Sequence, residues 1–153
     1  MIRIATEQEL YSYFRPIDRD HVFLSQNLKF PLVFKNYMSW EEPSGHRVYL
    51  VFENATTGRP LGVAFRKASA PADSAPVMCE WCHAVRGRGE VRLMTAAASR
   101  DRRIGLYLCA DLHCEEEITN PPGVNDLRES LSQTERIQRL MERMRVFAKG
   151  NLF

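Results

Sequence analysis

Four residues in this chain have a type and spacing that could do chemistry: Cys79, Cys82, Cys109 and Cys114. They fall as C-x2-C, 26 intervening residues, then C-x4-C. A tetrahedral ion closed by thiolates takes its ligands as two such close pairs. The segment between the pairs is long enough for a β-hairpin. The spacing therefore predicts a structural Zn2+ site with all four cysteines as ligands. Two redox or buried-thiol pairs would leave the wider second pair unexplained. A disulfide framework would need an oxidising compartment, to which nothing in the sequence points. His83 and His113 each adjoin a cysteine, but with four thiolates available both read as flanking residues. A catalytic zinc keeps a position open for water, and four thiolates leave none. No Ser-His-Asp set, paired carboxylates or Gly-rich phosphate loop stands at a persuasive spacing. The sequence thus argues against an enzyme.

The elements that must position the cysteines follow from their surroundings. Cys79-Glu80-Trp81-Cys82-His83 reads as a knuckle that turns two sulfurs towards one metal, with backbone N–H groups pointing at them. Arg86-Gly87-Arg88-Gly89 reads as a flexible basic loop. Residues 91–95 and 104–108 read as strands joined by a loop over 96–103. Val91, Leu93 and Thr95 would share one face. Cys109 ends the second strand, and residues 110–118 have helical character. A knuckle, a hairpin and a helix whose start supplies the second pair make a treble clef. The unfolded chain has no preformed site, so zinc binding would contribute folding free energy directly.

Upstream, residues 47–53 and 60–66 are apolar and β-branched or aromatic around a Gly58-containing turn, which predicts a β-hairpin. Both strands are apolar on both faces, so the hairpin should be sandwiched. Residues 67–76 read as a mobile small-residue linker. Thr6-Glu7-Gln8-Glu9 reads as a capping box opening a short helix that Arg15-Pro16 stops. Residues 21–37 take no clear assignment. Met38-Ser39-Trp40 reads as a turn of helix running into a loop, with Trp40 in the core. After Asn120-Pro121-Pro122-Gly123 breaks the chain, residues 126–148 read as an amphipathic helix. It is strongest from Ser132, which forms a second capping box with Glu135. Its apolar stripe is Ile137, Leu140, Met141, Met144, Phe147 and Ala148, and it should pack on the chain's own sheet.

These readings predict an α+β fold: a small antiparallel β-sheet with a four-cysteine treble-clef zinc finger and a C-terminal amphipathic helix. Residues 1–46 form an N-terminal helix and irregular segment, and residues 47–153 form the finger domain, together one folded unit. The 153 residues and 44% hydrophobic content suffice for a core beyond the metal. The formal charge of +2 falls near zero once four thiolates and Zn2+ are counted, so net charge gives no general argument for nucleic-acid binding. No signal peptide or membrane span is expected, which points to the cytoplasm. Only four of the 21 basic residues are lysines. Residues 86–103 carry six arginines, Arg86, Arg88, Arg92, Arg100, Arg102 and Arg103, against Glu90 and Asp101. Part of that charge should offset the metal cluster, and the rest is a candidate contact surface for acidic protein or RNA phosphate.

At Met78-Cys79-Glu80-Trp81-Cys82-His83, Val91-Arg92-Leu93-Met94-Thr95-Ala96 and Gly105-Leu106-Tyr107-Leu108-Cys109-Ala110-Asp111-Leu112-His113-Cys114, the chain resembles the elongation-factor-G-binding treble-clef zinc-finger family. Arg59-Pro60-Leu61-Gly62-Val63-Ala64-Phe65 is similar to the strand leading into that finger. The likeness spans roughly residues 47–148. It implies that Cys79, Cys82, Cys109 and Cys114 are the metal ligands and that the partner is elongation factor G or the ribosome. It further implies a role in releasing a drug-stalled factor, as in fusidic-acid resistance. The family's partner surface lies on the zinc-bearing domain, which makes Arg100, Arg102, Arg103 and Tyr107 candidate contacts, and the local excess of arginine adds Arg86 and Arg88 to them. Two departures stand out. Residues 1–46 are too short for the helical domain that precedes the finger in resistance proteins. Arg103-Ile104 stands where many relatives have Asn-Thr. The rival reading is a nucleic-acid-binding finger, with arginines on phosphate and Tyr107 or Trp81 stacking on bases.

Overall fold

Residues 47–53 are apolar at every interior position, and such a strand must be covered on both sides. The structure, a computed structural model, describes residues 1–54, 56–70, 75–119 and 131–152 and shows both covers. The N-terminal part comprises β1 (Ile2–Ile4), α1 (Glu7–Ser12), α2 (Pro16–Arg19) and β2 (Leu32–Phe34). Then come β3 (Tyr37–Glu41), β4 (Arg47–Glu53), β5 (Pro60–Lys67), β6 (Val77–Met78), β7 (Val85–Arg86), β8 (Val91–Ala97) and β9 (Arg103–Cys109). Two helices follow, α3 (Cys114–Thr119) and α4 (Gln133–Asn151). The α+β class and the antiparallel sheet are as the sequence predicts.

The main sheet runs β3-β4-β5-β8-β9, with every pairing antiparallel. Because side chains alternate along β4, Val48, Leu50 and Phe52 face one core and Tyr49 and Val51 the other. The first core joins Val63, Phe65, Met94 and Leu108 to the four cysteines and to Leu140, Met144 and Phe147 of α4. The second joins Tyr49, Val51 and Ala64 to Ile4, Leu10, Phe14, Leu32 and Trp40. Thr6 caps α1, its hydroxyl accepting from the Glu9 N–H at 3.1 Å, while the Glu9 carboxylate accepts from the Ala5 N–H at 2.8 Å. Pro16 opens α2 instead of merely ending α1, since a first-turn proline forfeits no helical hydrogen bond. Phe14 lies against Gly62, whose N–H donates to Tyr13 O at 2.9 Å. A Cβ at Gly62 would come within 2.8 Å of the Phe14 ring, so the strand needs glycine there.

Three expectations change. Residues 37–41 are the edge strand β3, not a helical turn, because Tyr37 through Glu41 pair with Phe52 through Val48 of β4. The supposed linker begins inside β5: Lys67 pairs with Met94, forms a 3.0 Å ion pair with Glu41, and Ala68 donates to Leu93 O at 2.9 Å. Residues 71–74 of that stretch lie outside the described residues. Strands β8 and β9 extend through Ala97 and from Arg103, so the loop between them is shorter than 96–103. The helix expected over 126–148 is seen as α4, capped by Ser132, whose hydroxyl accepts from Glu135 N–H while Glu135 returns to Ser132 N–H. The expected break at Asn120–Gly123 and the helix start at 126 lie outside the described residues. Most of the expected stripe is buried. Ile137 is only partly so, while Arg136, outside the expected stripe, is buried.

Candidate metal centre

Two tight turns carry the cysteines. In the first, His83 N–H donates to Cys79 O at 2.9 Å and Cys79 N–H to Ala84 O at 2.8 Å, with β6 and β7 pairing beneath. In the second, Leu112 N–H donates to Cys109 O at 2.9 Å, and Cys114 opens α3. Each turn ends on a left-handed residue that is not glycine: His83 at φ 66° and Leu112 at φ 58°. Such backbone is costly for a side-chain-bearing residue and persists where surrounding contacts enforce it.

All four cysteines are fully buried. Their sulfurs lie within 4.8 Å of one another, with Cys79–Cys114 at 3.8 Å and Cys82–Cys109 at 3.6 Å. Zinc–sulfur bonds of about 2.3 Å in a tetrahedron place sulfurs about 3.8 Å apart. The spacing therefore fits one zinc and is far too long for a sulfur–sulfur bond. Hydrogen bonds from Cys109, Cys114 and Cys82 hold the Cys79 thiol well below its ordinary range. The Cys114 thiol is driven well above it by hydrogen bonding with Cys109, Cys79 and Cys82 and by burial. Four buried sulfurs can all be thiolates only when a cation sits among them. The donor set is closed and soft, and it suits a structural zinc, which holds two turns and α3 together.

The surroundings reinforce the turns. Tyr37 Oη donates to Leu112 O at 2.7 Å and accepts from Glu115 N–H at 2.9 Å. Burial first, then the nearby Cys114, keep that phenol protonated far above its usual range. Asn36 Nδ2 donates to Glu115 Oε1 at 3.0 Å. Arg143 of α4 donates to Glu80 O and meets the His83 ring. Trp81 packs against Phe65 and Phe147, with ring centroids 5.9 and 6.0 Å apart. His83 and His113 lie outside the sulfur cluster, and His113 instead sits 3.6 Å from Asp111.

The candidate contact residues are scattered. Arg86 belongs to β7, not a flexible loop. It lies 3.3 Å from Glu90 and 3.6 Å from both Glu117 and Asp111. Burial works to lower its pKa, but the Cys109 sulfur, Glu117 and Asp111 outweigh it and push the value up. Arg86 is thus a counter-charge to the sulfur cluster. Arg88, Arg100, Arg102 and Arg103 are exposed, as is Tyr107 at 46%. Trp81, offered above as a stacking platform, is 3% exposed, because the aromatic core it completes leaves its ring no open face. Sequence reasoning gave Tyr37 no role. It stands in the unassigned segment 21–37, and only its distant partners Leu112 and Glu115 show what its hydroxyl does.

A sequence model of the FBP C-terminal treble-clef zinc-finger family matches residues 16–150. The chain belongs to this family. The treble clef supplies the two-turn geometry described above, and structural Zn2+ is its cofactor. Among solved structures, that of the fusidic acid resistance protein FusC is similar at 16% identity and a TM-score of 0.49. The alignment covers 71% of this chain and 48% of that one, so the chain matches about half of FusC's length. No protein of curated function matches the chain. No described helix is long and apolar enough to cross a membrane.

Proposed function

We propose that this treble-clef protein is not an enzyme but a binding protein of the translation machinery. It docks on elongation factor G or the ribosome in the cytoplasm, with Cys79, Cys82, Cys109 and Cys114 as zinc ligands. The family likeness at the cysteine motifs suggests the partner. One structural observation carries the reading: the middle of one face of the β8–β9 hairpin, around Gly105 and Tyr107, is exposed among the described residues. The N-terminal segment covers β4 and β5 on that side through Phe14, Trp40 and Tyr49. Farther out, Leu93 pairs with Tyr107 and Thr95 with Gly105, and both Gly105 and Tyr107 are exposed. Near this hairpin, Met78 and Val85 are 51% and 48% exposed. An exposed aromatic among half-exposed apolar side chains, with arginines at the hairpin ends, is the composition of a protein-binding hot spot.

Calorimetric titration of the zinc-loaded protein against purified elongation factor G, at two salt concentrations, tests this. One-to-one saturable binding that survives salt is expected, with Tyr107→Ala weakening it at least about tenfold. No binding by zinc-loaded protein would remove the reading. The exposed Arg88, Arg100, Arg102 and Arg103 favour nucleic acid as the second reading. Affinity for RNA that falls steeply with salt would select it, since phosphate contacts release counterions.

A further inference from the structure

A cleft of about 370 Å3 lies where α2 meets the main sheet, away from both the zinc site and Tyr107. Tyr107 is four residues along β9 from Arg103, about 13 Å of strand. Arg47, Arg66, Arg100 and Arg103 line the cleft together with His21. The single carboxylate among its lining residues is Asp18, and it is already engaged. Asp18 is 3% exposed and accepts from Arg15 Nη2 at 2.9 Å and Nε at 3.3 Å. Arg47 sits 3.5 Å from Glu42. Arg103 spends Nε and Nη2 on Thr95, at 3.0 and 2.9 Å. Arg66 and Arg100 have no side-chain hydrogen bond or ion pair among the described residues. Burial lowers the Arg103 pKa, and neighbouring Arg66, Arg47 and Arg15 add to the fall.

Guanidinium groups converging on a concavity without matching carboxylates repel one another, and an incoming anion relieves that repulsion. The planar guanidinium fork matches phosphate oxygens two at a time. The volume is at the small end of the roughly 300–1,000 Å3 range of ligand sites. Ile17, Phe65, Ser99 and the small Ala64 and Ala97 complete the lining. A site for a nucleic-acid strand would continue as a basic groove, yet the exposed Arg102 in the adjoining turn does not line the cleft.

We infer that this cleft binds the phosphate end of a small ligand, a phosphate or diphosphate group held by Arg66, Arg100 and Arg103 with Arg47 at its margin. Arg100 and Arg103 are also candidate contacts for elongation factor G, but Tyr107 lies toward the other end of β9, so Tyr107→Ala should weaken only the protein contact and leave diphosphate binding unchanged.

Calorimetric titration of the zinc-loaded full chain with sodium diphosphate, at ionic strength fixed by sodium chloride, tests it. A short RNA without terminal phosphate serves as the comparison ligand. One diphosphate should bind per chain. Arg66→Ala and Arg100→Ala should each weaken binding at least tenfold, and Arg102→Ala should leave it unchanged. Arg66 and Arg100 are exposed, so both variants should keep the wild-type circular dichroism spectrum. Failure of the wild-type chain to saturate would overturn the inference, as would undiminished binding by the Arg66 and Arg100 variants. Tighter binding of the RNA, weakened equally by Arg102→Ala, would overturn it in favour of a strand-binding surface.

Discussion

The two faces of β4 are closed by different physics. One rests on a metal cluster and an amphipathic helix, the other on interlocking aromatic rings. On the second face Phe14, Trp40 and Tyr49 have ring centroids 5.3 to 6.5 Å apart. Tyr49 Oη and Trp40 Nε1 donate to His21 O and Phe23 O, each at 2.7 Å. That core is made of contacts that need nothing beyond the chain. The first face contains four sulfurs that repel one another when ionised, so its packing depends on an ion from solution. One sheet thus combines a self-sufficient side with a conditional one. The chain's two tryptophans, Trp40 and Trp81, fall one on each side and report on them separately.

The largest effect should come from removing zinc. Structural zinc contributes on the order of 10 kcal/mol or more in small finger peptides. Chelation, or Cys82→Ser, should release Trp81 to solvent at a lower denaturant concentration than Trp40, read by fluorescence in Trp40→Phe and Trp81→Phe backgrounds. Simultaneous loss of both signals would mean the faces are one cooperative unit and the contrast is false. Next comes the aromatic side. Phe14→Ala should cost about 3–5 kcal/mol and expose Trp40, with zinc stoichiometry unchanged by metal analysis. Gly62→Ala should mimic it more weakly by pushing on the Phe14 ring. The smallest effect belongs to the helix cap. Ser132→Ala should cost about 1 kcal/mol, in the zinc-loaded state only, if α4 depends on the metal face. Its side-chain hydrogen bond with Ser132, together with the Ser132 backbone N–H, lowers the Glu135 pKa. A depressed carboxylate pKa stabilises above the ordinary carboxylate range and is lost as pH falls through it. The protection of the Glu135 amide, relative to its intrinsic exchange rate at each pH, should therefore fall as the pH drops below that range, and a protection left unchanged by Ser132→Ala would remove the role of the cap.

What the sequence disclosed divides along the same line. The metal side was readable because coordination chemistry fixes residue type and spacing locally, so Cys79 to Cys114 and the β8–β9 hairpin could be placed from a short window. The helix stripe on α4 was readable for the same reason, through its 3.6-residue period. The aromatic side was harder. Residues 37–41 carry no strong strand pattern of their own and become a strand by pairing with β4. Residues 21–23 are held by hydroxyl and indole groups from Trp40 and Tyr49, 17 and 28 positions away, so no local periodicity marks them. Arg86 is a further instance. Its sequence neighbours suggested a loose basic loop, whereas its role is set by Cys109, Asp111 and Glu117, which only folding brings near.

The division of cores along the chain has a consequence in time. Every residue of the aromatic core lies between Ile2 and Ala64, while the metal core draws on residues as late as Leu152. Chains leave the ribosome N-terminus first, at about 5–20 residues per second. The aromatic side can therefore assemble while the second pair of cysteines is still unmade, and it presents β4 and β5 as a finished template. The four-sulfur cluster can close only after Cys114 has emerged, and α4 can seat only after that. Metal capture thus follows the closing of the aromatic core and precedes the seating of α4.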